Sequence, residues 1–186
     1  MELFTGKGDT GTTKTFGCED RISKNSSIVG ALGSVDEVNS YLGLCKVKSK
    51  EGGFTLGQGG PTFEAIVHGI QANLFIVQAE LAGAPKKIEE QKVREIENYI
   101  KMMEAELPPI RTFFISGGTE LAAHFDFART VARRAERRVV AVREEGIVVP
   151  GEHTMAYLNR LSSILYALAR LSNHKSAIKE EPPSYK

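Results

Sequence analysis

The sequence predicts an all-α protein: a five-helix antiparallel bundle entered through an N-terminal loop rich in glycine and threonine. Three observations carry this prediction. Apolar residues recur at three- and four-residue intervals through five long stretches, the period of a helix with one buried face. Glycine and proline gather between those stretches, as in Gly83-Ala-Pro85 and Pro108-Pro109. The connections between stretches are short, and short links join helices that run in opposite directions.

Each element follows in turn. Residues 1–26 read as an arm, and residues 27–174 as the helical bundle. The first helix spans about 27–48, with Val35, Val38, Leu42 and Cys45 facing inward. Ser34-Val-Asp-Glu37 fits a capping box and would start the helix later; Gly30 and Gly33 leave that boundary open. Residues 49–61, with five glycines and Pro61, form a loop. The second helix covers about 62–82, with a stripe of Phe63, Val67, Ile70, Leu74, Val77 and Leu81. The third covers about 87–106, with Ile96, Ile100, Met103 and Leu107 inward, and ends at Pro108-Pro109. Residues 110–118 are extended and apolar, too short for a helix, with no evident strand partner. The fourth helix runs over 119–145, and residues 146–151 turn the chain. The fifth runs over about 152–173, with Leu158, Leu161, Leu165 and Leu168 inward. Residues 175–186 are expected to be a mobile tail.

At 186 residues, 41% hydrophobic and 25% charged, the chain is one ordinary globular domain. A net charge of +1 gives no global basic field of the kind nucleic-acid binders carry. Cys18 and Cys45 are too few for a disulfide framework, and with the four histidines they form no metal-ligand spacing. No protein-held metal is expected. Neither a signal peptide nor an apolar run of the ~20 residues a membrane span needs is evident, so a cytoplasmic location away from membranes is expected.

Two segments carry chemistry. In Ala128-Arg-Thr-Val-Ala-Arg-Arg-Ala-Glu-Arg137, Arg129, Arg133 and Glu136 fall within an arc of roughly 60° on a helix. Ala128, Val131, Ala132, Ala135, Val139 and Val142 fill the adjoining face. Charges on the shoulder of a buried stripe need a pair or a charged ligand. Arginine makes forked contacts to phosphate, so a phosphate-bearing ligand fits, while a solvated, salt-bridged face is the plainer alternative. The second segment is Thr5-Gly-Lys-Gly-Asp-Thr-Gly-Thr-Thr13. Gly6, Gly8 and Gly11 allow close backbone approach, and Thr5, Thr12 and Thr13 add hydroxyls; such a loop can cradle phosphate in a nest of N–H groups, while a floppy N-terminal arm is the equal alternative. It is not a Walker A loop.

These segments, together with Gly33-Ser-Val-Asp-Glu-Val-Asn39, Ser116-Gly-Gly-Thr119 and Tyr157-Leu-Asn-Arg-Leu-Ser-Ser163, occur in an order that resembles the PduO-type ATP:cob(I)alamin adenosyltransferases, over about residues 3–172. The resemblance implies a homotrimeric five-helix bundle with active sites between subunits. It implies transfer of the 5′-deoxyadenosyl group of ATP to the cobalt of cob(I)alamin, with triphosphate leaving. Mg²⁺ would come with the ATP phosphates. By the same resemblance the loop residues Thr5, Gly6, Gly8, Gly11, Thr12 and Thr13 bind triphosphate, joined by Lys24, Arg133 and Asn159. Glu136 would accept from Arg133 or the ribose. Asp36 would pair with Arg129 across a subunit interface, and Phe113 would line the corrin pocket where the lower axial base of cobalamin would otherwise sit. Ser116 stands where many members have proline. The product would pass to a cobalamin-dependent enzyme.

Two other functions compete. One is a regulatory bundle that binds ATP without chemistry. The other is a nucleic-acid-binding helix, which the glutamates interleaved among Arg129–Arg143 and the near-neutral charge disfavour.

Overall fold

A computed structural model describes residues 3–18 and 20–185. Met1, Glu2, Glu19 and Lys186, which belong to the arm and tail of the sequence reading, lie outside the described residues. The five expected helices are α1 (Ser27–Gly52), α2 (Phe63–Leu81), α3 (Glu90–Glu106), α4 (Glu120–Glu144) and α5 (Glu152–Lys175). Before them, β1 (Thr12–Thr13) and β2 (Ile22–Ser23) form a two-stranded antiparallel ribbon with Thr12 opposite Ser23.

The helix ends follow local chemistry. Thr62 and Thr119 cap α2 and α4, their hydroxyls accepting from the Ala65 and Ala122 amides at 3.1 Å. The capping-box start at Ser34 is not used. α1 begins after Ser26 and runs straight through Gly30 and Gly33, and the Ser34 hydroxyl donates back to the Gly30 carbonyl at 2.8 Å. α1 also extends past the expected end at residue 48, stopping at Gly53, whose φ of 63° closes the last turn through the Ser49 carbonyl.

Side-chain pairs along the helices give their directions. Glu37 meets Arg134, and Tyr41 meets His124, so α1 and α4 run antiparallel. Asn159 meets Glu136 while Asn173 meets Thr119, so α4 and α5 do too. α3 lies parallel to α5, its neighbour in space, with Glu97 on Arg160 and Glu106 on Lys175. The expected inward stripes of α1, α2, α4 and α5 are all buried. On α3, Ile96 and Met103 are buried, Ile100 and Leu107 are only partly so, and Val93 joins the core instead. No helix among the described residues is long and apolar enough to cross a membrane.

The segment 110–118, expected to lack a partner, finds one in the tail. The Ile115 amide donates to the Glu181 carbonyl at 2.9 Å. The tail expected to be mobile is therefore tied down at this point. It also carries Glu180 into an ion pair with Arg170, whose side chain is only 4% exposed.

Candidate active site

The arginine helix and the segment before it build an open cavity of about 560 Å³. Asp126, Arg129 and Arg133 recur at i, i+3 and i+7, so α4 presents all three on one stripe to the cavity. Ser162, Ser163 and Tyr166 do the same from α5. Phe113 and Ser116 close it from the loop between α3 and α4. Arg129 and Arg133 make the α4 wall cationic around Asp126, and Ile110, Phe113 and Phe114 make the loop wall largely apolar beside Arg111.

Arg129 is the least satisfied group here. Its Nε lies 3.9 Å from Asp126 Oδ1, beyond hydrogen-bond range, and is buried without a partner. Its guanidinium stands 6.0 Å from the Tyr166 ring centre. A buried donor left unpaired costs about 1–3 kcal/mol, which a ligand or a neighbouring chain would recover. Asp126 is buried beneath it. Burial raises its carboxyl above the ordinary aspartate value, against the opposing pull of the Gly117 amide at 3.0 Å and of Arg129.

Phe113 is 79% exposed at the cavity mouth and does not anchor the core. Its neighbour Phe114 is half-buried and lies under the Arg170 guanidinium, 5.1 Å from ring centre to charge. Further along α4, Glu136 accepts from Asn159 Nδ2 at 2.9 Å. Asn159 in turn accepts from Arg160 at 2.6 Å, and Arg160 donates to Glu97 at 2.9 Å. Glu136 thus meets Asn159 rather than Arg133 in the single chain. Asp36 is exposed on α1, while the adjacent Glu37 holds Arg134.

The glycine-threonine loop is shaped by its own turns. Gly6 and Gly11 take φ of 65° and 78°, and amide bonds from Asp9 to Gly6 and from Gly11 to Gly8 fold it back. Lys24 is part of it: its amide donates to the Gly11 carbonyl at 2.9 Å. A Cβ at Gly8 would stand 3.0 Å from the Lys24 ammonium, so position 8 leaves room for that side chain. Arg21 clasps Thr12, through its hydroxyl at 2.8 Å and its carbonyl at 2.7 Å. Lys24 and Arg21 make the loop cationic.

In one chain this loop and the arginine cavity stand apart. The loop joins α1 where Ser27 donates to Glu145, at the C-terminal end of α4. Arg133 lies twelve residues back along the helix, about 18 Å at the helical rise. Residues missed in the sequence were Asp126, Tyr166 and Arg21. Helical spacing to Arg129 and to Asn159 signals the first two; nothing in the local pattern marks Arg21. Among the described residues, no three His, Cys, Asp or Glu side chains converge as metal ligands.

Comparison with known proteins bears on this cavity. A family model described as cobalamin adenosyltransferase matches residues 3–172. Corrinoid adenosyltransferase PduO of Citrobacter freundii is 38% identical over 182 residues, 94% of this chain and 50% of that protein. The chain spans about half the length of that relative and of its Salmonella typhimurium counterpart. The corrinoid adenosyltransferase of Bacillus subtilis is 36% identical over 96% of this chain and 90% of its own. A phenylalanine-to-alanine variant of a PduO-type ATP:corrinoid adenosyltransferase from Lactobacillus reuteri, complexed with cobalamin and ATP, superposes with a TM-score of 0.85 at 28% identity, covering 98% of this chain and 99% of that one. An arginine-to-lysine variant from the same organism, complexed with ATP, gives 0.84 at 28% identity over 98% and 100%. The five-helix fold is that of these enzymes, and the chain belongs to the cobalamin adenosyltransferase family.

Proposed function

We propose that this chain transfers the 5′-deoxyadenosyl group of ATP to the cobalt of cob(I)alamin. The observation that carries the reading is the arginine-lined cavity closed by exposed Phe113, in a chain of this family. Both a polyanion and a large apolar ring system would find a matching wall there. The relatives are named transferases, which does not favour the regulatory alternative.

The chemistry asks little of the protein in covalent terms. The Co(I) electron pair attacks C5′ of ATP, the C5′–O bond breaks, and triphosphate leaves with that bonding pair. Cobalt supplies the nucleophile, so the chain must position C5′ and stabilise the departing charge. In this reading Arg133 and the loop residues Thr5, Gly6, Gly8, Gly11, Thr12 and Thr13, with Lys24, hold the triphosphate. Glu136 and Asn159 bound the nucleoside. Mg²⁺ would ride on phosphate oxygens and water. Phe113 covers the cobalt face where the lower base would bind, which keeps Co(II) four-coordinate and easier to reduce.

No loop residue lines the arginine cavity in one chain. A homotrimer in which one subunit's loop meets its neighbour's α4 would close the site. In the same trimer Asp36 would reach Arg129 across the interface and satisfy its buried Nε. The reaction would take place in the cytoplasm, with the product handed to a cobalamin-dependent enzyme.

The test is direct. The protein is mixed with ATP, Mg²⁺ and chemically reduced cobalamin, and the absorbance spectrum is followed. Appearance of adenosylcobalamin is expected; ATP binding without it would leave the non-catalytic reading standing.

A further inference from the structure

The loop that carries Phe113 is gripped from behind by groups the reaction itself does not need. Arg170 of α5 is 4% exposed, and its Nε donates to Glu180 of the tail at 2.9 Å. Its Nη2 reaches the Pro108 carbonyl at 3.3 Å, and its charge sits over the Phe114 ring. One residue along from Glu180, the Glu181 carbonyl accepts the Ile115 amide. Tail and loop are therefore joined on both sides of Phe114, the residue next to Phe113.

Asn173, one helical turn beyond Arg170, holds the other end of the loop. It donates to the Gly117 carbonyl at 2.8 Å and accepts the Thr119 amide at 2.9 Å. Gly118 has φ of 105°, and a Cβ there would fall 2.4 Å from Asn173 Oδ1, so the loop can lie this close only with glycine at 118. The Glu180 side chain is 14% exposed and Arg170 less. A buried guanidinium held by one carboxylate oxygen, a carbonyl and a ring is confined to one geometry, whereas exposed ion pairs have many.

We infer that Arg170 and the tail residue Glu180 form a clasp that sets the position of the Phe113 loop, making them positioning residues for the corrin half of the site. The inference rests on the reading of Phe113 above. Its consequence is selective. The ATP-binding groups lie on α4, α5 and the N-terminal loop, none of them within the clasp. Releasing the clasp frees the 110–115 side of the loop, leaves the end held by Asn173 anchored, and leaves those groups in place.

Two variants test it: Glu180→Gln, which removes the charge and keeps the shape, and a chain ended after Lys179. Amide exchange is measured across the molecule for each. Faster exchange at Ile115 is expected, with Gly117 and Thr119, held by Asp126 and Asn173, and α1 and α2 unchanged. In turnover assays begun from Co(II), kcat should fall about tenfold, since misplacing a positioned group by ~1 Å can cost about a hundredfold. KM for ATP should stay put, and the four-coordinate Co(II) signal should shrink in the electron paramagnetic resonance spectrum. Glu180→Asp should restore part of each. Should the unaltered protein make no adenosylcobalamin, the proposed function falls, and exchange alone decides the clasp. Loop exchange at the wild-type rate in both variants would overturn it, as would equal losses in the ATP and corrin steps.

Discussion

Phe113 and Asp126 show what single residues add. A 79% exposed phenylalanine contributes almost nothing to the core, so its truncation leaves no cavity to destabilise the fold. Phe113→Ala should melt within about 1 °C of wild type, where a core phenylalanine would cost about 3–5 kcal/mol. It should lose most activity when turnover starts from Co(II) and much less when it starts from pre-reduced Co(I). A large drop in melting temperature with equal losses in both assays would return it to a structural role. Asp126 bears on pH. Burial raises its carboxyl above the ordinary value of 3.8, so the folded state favours the protonated form. That contribution is complete below 3.8 and is lost as pH rises through the raised, folded-state value. Asp126→Asn keeps an acceptor for the Gly117 amide and cannot ionise. Its melting temperature should gain on wild type as pH climbs from about 3 to about 7, and parallel curves would contradict the assignment. The arginine stripe was legible in sequence because a helix repeats its faces. Arg21 was not, because its link to Thr12 depends on how a ribbon outside the helices folds.

The elements were legible where period and breakers agree. The helices lie where the apolar stripes and the Gly83 and Pro108 breaks put them, with ends shifted by a few residues. The segment 110–118 was harder. Its partner is the tail, sixty-six residues on from Ile115 to Glu181, and no local pattern encodes so distant a contact. Glu80 is a comparable case. Near the end of α2, it looks like one more surface glutamate, yet it is buried and accepts from the Gly151 amide at 2.8 Å and from the Thr154 hydroxyl. It caps α5 from another helix. Glu80→Ala would leave that amide and hydroxyl without an acceptor, at a cost of about 1–3 kcal/mol. Chemical denaturation should show the loss, with Glu80→Gln retaining part of the stability. An unchanged midpoint for Glu80→Ala would mean water replaces the carboxylate at no cost.

At the scale of the whole molecule, the N-terminal loop contributes no residue to the lining of the arginine cavity within one chain. Sequence reasoning could name the loop and the arginines, but the end of α4 beside which the chain enters α1 is a property of the fold. It follows from Ser27 lying beside Glu145 while Arg133 faces the cavity near Phe113. The central claim is that these halves complete each other between subunits, and complementation tests it most directly. Arg133→Ala removes the phosphate contact proposed for α4. Gly8→Val forces a side chain into the space of Lys24 in the loop. Each variant alone should be nearly inactive. Co-expressed in equal amounts, they should recover roughly a quarter of wild-type turnover, because a closed ring then pairs an intact loop with an intact α4 in that share of sites. If mixed assemblies form and activity stays at the level of the single variants, the site lies within one chain and the account is wrong.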